Sequence, residues 1–316
     1  MTPSKAMAKL HCMITSLSAI SSSSFLLAVK RGKPIRRAFA TIGANIAAIV
    51  VVAASLAVAN LVIPGLRDVF ELSEAAQTPG RLLEEIRVMI ALAVILGLTA
   101  ALSLWFASRI HRRPIASFVW PQRKPSIRLL LLGVAVSAPI TAIMLFGYGW
   151  LEGEPLLFPM LDSAYPPMHR LYYALAAIGA LFVAALAEEV LFRSLALQAT
   201  AAFTRRVIVL CLVNGVLFAA IHLYADPVVF ASLAIAGALW AWVTLELGGI
   251  EFATGAHLAN NLCVVLLAEP FTLGWDEAPT AAPAILAFDL IMVLVVAVAV
   301  KTLKARRMTG IVAITP

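Results

Sequence analysis

Long, almost wholly apolar stretches dominate this chain, and about 20 such residues are what an α-helix needs to cross the hydrocarbon core of a bilayer. Eight are expected, at about 38–63, 86–108, 128–150, 171–200, 207–225, 228–246, 252–268 and 283–300. Strands of an outer-membrane barrel would alternate polar and apolar side chains with period two. Runs such as 46–59 and 291–300 carry no charge and do not alternate, so helices are the reading. Charged residues make up only 13% of the chain, against about 25% in soluble domains. The fold class is therefore all-α, a polytopic membrane protein with about eight transmembrane helices. Cys12, Cys211 and Cys263 have unrelated spacings and suggest neither a disulfide framework nor a thiolate metal site.

The positive charge follows topology. Clusters at Lys30–Arg37, Arg109–Arg128, Arg205–Arg206 and Lys301–Arg307 hold most of the 24 Lys and Arg residues, and they fall on alternate ends of the spans. The opposite ends gather most of the 17 Asp and Glu residues. Basic loops stay cytoplasmic, which places both termini in the cytoplasm. The net charge of +7 is thereby accounted for without nucleic acid as a partner. Residues 1–37 read as a cytoplasmic tail or weak interfacial segment, 38–307 as one eight-span domain with a functional core at about 171–268, and 308–316 as a tail. Ala-rich spans and short loops suit a bacterial inner membrane.

Polar groups inside the spans carry the chemistry. A charged residue at a helix centre costs roughly 2.5–3.5 kcal/mol, yet Glu188, Glu189 and Arg193 share one span. Glu189 and Arg193 are i and i+4, lie on one face and can pair. Glu188 lies about 100° around the helix and faces something else. A carboxyl left over in this way suits acid–base work. The next span supplies Phe218 and His222, with Asn214 one step along the same face, and a later one supplies His257 and Asn261. Each taken alone reads as packing or interhelical hydrogen bonding; their combination in one apolar core points to a site. Glu246 and Glu251, flanking Gly248–Gly249, read as a solvated edge, and Asp289 as a structural hydrogen-bonding group.

Glu188-Glu189-Val190-Leu191-Phe192-Arg193 resembles the EExxxR motif of the CPBP family, the CAAX proteases and bacteriocin-processing enzymes also called Abi or Rce1-like. Phe218 to His222 resembles its FxxxH motif and His257 to Asn261 its HxxxN motif, in family order on three spans. Ser194 stands where bacterial members often have Gly. The resemblance implies an intramembrane endopeptidase acting on a membrane-associated, possibly prenylated CAAX-type, peptide or protein. It implies that Glu188 and His222 activate the attacking water and that His257 and Asn261 stabilise the oxyanion. Glu189, Arg193 and Phe218 are supporting residues.

Two chemistries fit these residues: a metal-free glutamate–histidine mechanism, or a Zn²⁺ held by Glu188, His222 and His257. The HExxH signature of common zinc proteases is absent. Glu188 and His222 both lie about 25 Å along their helices from the Arg205–Arg206 turn, whereas His257 lies only about 12 Å from Gly249. Their meeting requires helix ends that project about 10 Å into the cytoplasm or strong tilt, with a site opening on that side. A separation of more than about 10 Å between His257 and Glu188 would exclude the mechanism. The alternatives are a catalytically silent scaffold or bacteriocin-immunity protein of the same fold, and an ion- or proton-coupled transporter.

Overall fold

All eight apolar stretches form helices. The structure, a computed structural model, describes residues 25–26, 34–63, 66, 69, 80–121, 123–152, 156, 158–223, 226–268 and 283–308. The expected tails at 1–37 and 308–316 lie largely outside these. In chain order the helices are α1 (Pro34–Val62), α2 (Arg81–His111), the short α3 (Ala116–Val119), α4 (Ile127–Glu152) and α5 (Pro167–Glu189). Helix α5 runs on without a break through a π-helical stretch, Val190–Ala196, and a last α-turn, Leu197–Thr200. Then come α6 (Val207–Ala220), α7 (Pro227–Leu247), α8 (Glu251–Cys263) with a π-helical continuation at Val264–Ala268, and α9 (Ala284–Met308).

Among the described residues, six helices are long and apolar enough to cross a membrane: α1, α2, α4, α5 with its continuation, α7 and α9. This falls short of the expected eight. Helix α6 has 14 residues, or about 21 Å of rise against a core of about 30 Å. The apolar reading ran on to 225, but the helix stops at Ala220. Helix α8 likewise holds only 13 residues before its π-helical turn.

The local causes of the boundaries are visible. Asp226 caps α7 by accepting from the Val228 and Val229 N–H groups at 2.8 and 2.9 Å, with Pro227 at the first helical position. Gly248 ends the same helix at φ 73°, a left-handed conformation that suits glycine. Large apolar side chains point outward: Ile46, Val50 and Leu61 on α1 are 57, 58 and 88% exposed. That inverts a soluble protein and suits lipid as the surrounding solvent.

Packing pairs α8 with α4, α2 with α5 and α6 with α7 most extensively; α9 covers α4 and α7. Helices α4 and α8 cross at Gly133 and Gly255. A Cβ on Gly255 would run into the Leu130 carbonyl, and one on Gly133 into the Phe252 carbonyl. Small residues of this kind let membrane helices approach backbone to backbone.

The edge acids are not solvated, contrary to the sequence reading. Glu251 is 5% exposed. Arg123 grips both its carboxylate oxygens at 2.5 and 2.6 Å, and the Ser126 N–H donates to it at 2.7 Å. The Glu246 carboxylate is fully buried and takes Lys301 at 3.1 Å and Lys304 at 2.6 Å. The cations arrive from segments distant in the chain, which local sequence cannot show. Asp289 is buried.

Candidate active site

The three polar segments meet around the junction where α5 passes from α- to π-helix. Glu188 and Glu189 are the last α-helical residues before that change. Glu189 and Arg193 are fully buried, with Glu189 Oε1 3.1 Å from the Arg193 guanidinium, as their spacing predicts. The same Oε1 also lies 3.0 Å from His257 Nδ1. Glu189 thus joins α5 to α8 as well as neutralising its own helix neighbour. The pairing of Glu189 with Arg193 alone missed this. The available signal was that a carboxylate offers more acceptor sites than one guanidinium nitrogen fills.

The other face of the imidazole looks at Glu188. His257 Nε2 stands 3.9 Å from Glu188 Oε2, well inside the limit that would have excluded the mechanism. That distance is too long for a direct hydrogen bond. Glu188 Oε2 has no hydrogen-bond partner among the described residues. The carboxylate retains 13% side-chain exposure, whereas Glu189 has none. The two neighbouring acids therefore occupy different surroundings, one half-open and one sealed, in line with the 100° separation on the helix.

Phe218 holds the group together. Its ring packs edge-on against His222 at 4.8 Å and against His257 at 5.8 Å between centroids, and the Arg193 guanidinium lies 4.4 Å above it. His222, one residue beyond the cap of α6, has Nδ1 2.8 Å from the Phe218 carbonyl. A ring N–H donating there fixes the ring orientation. Asn261 is partly exposed and lies one turn beyond His257 on the same helix face. Asn214, fully buried, donates through Nδ2 to the Phe192 carbonyl at 2.8 Å. That carbonyl also accepts the Leu197 N–H across the wide π-helical turn. A side chain from α6 thus braces the irregular segment that presents Arg193.

Residues 170–263 match the family model described as type II CAAX prenyl endopeptidase Rce1-like. The matched segment opens in α5 and closes with α8, so it contains every residue just named. This core segment is similar to that family. A protein of Bacillus subtilis (strain 168) named uncharacterized protein YyaK is similar at 28% identity over 202 residues, 61% of this chain and 64% of that protein. The match thus spans somewhat under two thirds of that relative's length. No solved structure matches the chain.

Among the described residues, no three His, Cys, Asp or Glu side chains are gathered so as to hold a metal ion. Within the matched segment His257 keeps Nδ1 on Glu189 and turns Nε2 to Glu188, while His222 is seated against Phe218. The set Glu188, His222 and His257 does not form a three-ligand cage in this arrangement.

Proposed function

We propose that the chain is an intramembrane endopeptidase that hydrolyses a peptide bond in a membrane-associated, CAAX-type prenylated peptide or protein. The observation that carries the reading is the facing pair, Glu188 Oε2 and His257 Nε2 at 3.9 Å, with Glu189 behind the imidazole. Two polar atoms at that separation are within reach of one bridging water. Glu188 takes a proton from that water, and its oxygen attacks the scissile carbonyl carbon. His222 helps to orient the water. The resulting oxyanion is met by Asn261 and by His257.

The tautomer matters here. With Nδ1–H given to Glu189, neutral His257 offers a lone pair at Nε2, and only the imidazolium donates from both nitrogens. As the imidazolium, His257 supplies the oxyanion donor as negative charge develops. Collapse of the tetrahedral intermediate expels the amine, which takes the proton that Glu188 holds.

An apolar groove between α2 and α5, lined by Ala93, Gly97, Gly179 and Val183 among others, runs along the helix that carries Glu188 and supports a substrate with an apolar anchor. Glu251 lies six residues before His257, or about 9 Å of rise, so the site sits near the basic end of the bundle. We place its opening there, facing the cytoplasm of a bacterial inner membrane, with both termini on that side.

The test compares membranes carrying the native chain with membranes carrying Glu188→Gln at matched expression. Mass spectrometry of released peptides and new C-termini, with prenylated and unprenylated CAAX probes, should show products from the native chain alone. Loss of at least about 100-fold in rate is expected for the variant, and activity should persist through chelation. Equal product from both membranes would overturn the assignment of Glu188. Products lost on chelation would overturn the metal-free scheme.

A further inference from the structure

Away from the peptidase site, the basic end of the bundle holds a small polar pocket that the proposed reaction does not use. It lies where α1 begins, α2 ends and α5 finishes, and it is lined by Arg37, Thr41, His111, Arg113, Phe118 and Gln198, among others. The ends of three membrane-crossing helices define the level of the lipid headgroups. Ile35 and Phe39 beside it on α1, and Ile115 just before α3, are 50, 62 and 45% exposed, so its rim faces the lipid laterally.

The pocket's electrostatics have one sign. Two guanidiniums line it and no Asp or Glu does. The segments that build it, 34–41, 111–118 and 195–202, contain no acidic residue at all. The polar groups are already posed: Thr41 Oγ1 sits 2.8 Å from His111 Nε2, and the Gln198 amide donates to the Phe118 carbonyl at 2.7 Å. Arg113 lies 4.3 Å over the Phe118 ring and bonds the Ser117 carbonyl at 2.7 Å. Its fork is therefore held in place rather than waving in solvent. Helix α1 starts at the pocket, and the N–H groups of its first turn favour an anion. The negative end of α2 is offset by Arg112 and Arg113, which follow its last residue directly.

We propose that this pocket binds a phosphate group through Arg37 and Arg113, at the headgroup level of the membrane. Guanidinium forks match phosphate oxygens in pairs, and basic pockets between helices on this side are suited to anionic headgroups. The same chemistry would come from a phospholipid headgroup or from free phosphate.

The full chain, purified in detergent, is titrated with phosphatidylglycerol, phosphatidylcholine and inorganic phosphate, with binding read by native mass spectrometry. Phosphatidylglycerol should bind, and Arg37→Gln or Arg113→Gln should each weaken it roughly fivefold. The exposed pair Lys124→Gln with Arg206→Gln should leave binding unchanged. Phosphatidylglycerol without inorganic phosphate assigns the site to a headgroup; binding of both assigns it to phosphate from either source. Equal loss from the control pair, or no loss in the Arg37→Gln, Arg113→Gln double variant, overturns the proposal. If the Gln variants do not fold, a photoreactive phosphatidylglycerol on the native chain should label peptides containing Arg37 or Arg113. Labelling confined to other segments overturns it as well.

Discussion

Helices α1 and α5 are both long, apolar and able to cross a membrane, yet they are built to different rules. In the most apolar stretch of α1 only 11% of residues are buried inside the protein, against 44% for α5 with its continuation. Helix α1 presents Ile46, Val50 and Leu61 outward, where one aliphatic side chain serves lipid as well as another. Helix α5 encloses a carboxylate, a guanidinium and a contact to a second helix within about one turn. Hydropathy alone specifies the first kind of helix. The second requires particular residues at particular places, and the family match falls on it, at 170–263, and leaves α1 outside.

The contrast can be tested by substitution, beginning where the effect should be greatest. Arg193→Met leaves Glu189 charged and sealed without its cation. Breaking a buried pair in this way costs about 3–5 kcal/mol, which thermal unfolding in detergent should register, with activity lost. A variant as stable as the native chain would mean that His257 alone neutralises Glu189. Next, Gly255→Ala should force α4 and α8 apart and cost about 1–3 kcal/mol, since the new methyl meets the Leu130 carbonyl. Unchanged stability would show that the crossing is looser than described. Least of all, Val50→Leu on the lipid face of α1 should stay within about 0.5 kcal/mol and leave activity intact. A large loss there would place a protein partner against α1 and undo the comparison.

The spans were legible because apolar runs of the required length have no other use, and each became a helix. Their number was less so, since α6 ends before its apolar run does and α8 passes into π-helix after 13 residues. At the site, helix periodicity alone separated Glu188 from Glu189 and paired Glu189 with Arg193. It could not reveal the bond from Glu189 to His257, 68 residues away, because periodicity orders neighbours on one helix and is silent about which helices touch. The same blindness made Glu246 and Glu251 look solvated, when Lys301, Lys304 and Arg123 arrive from 55 or more residues away. Spacing alone put Phe218 on one helix face with His222; its contact with both histidines and Arg193 is a product of packing.

The π-helical stretch after Glu189 can also be viewed as a matter of counting. Such a turn is what a helix becomes when it accommodates one residue more than the α-form has room for. Removing any one residue from Val190–Ala196 would let the helix close as ordinary α and swing everything beyond it by about 100°. Gln198 would turn away from the Phe118 carbonyl, and the braced Phe192 carbonyl would lose the arrangement it shares with Asn214 and Leu197. In this stretch the length of the chain is itself a specification. A deletion that removes no side chain named at the site should disable it as surely as replacing Glu188.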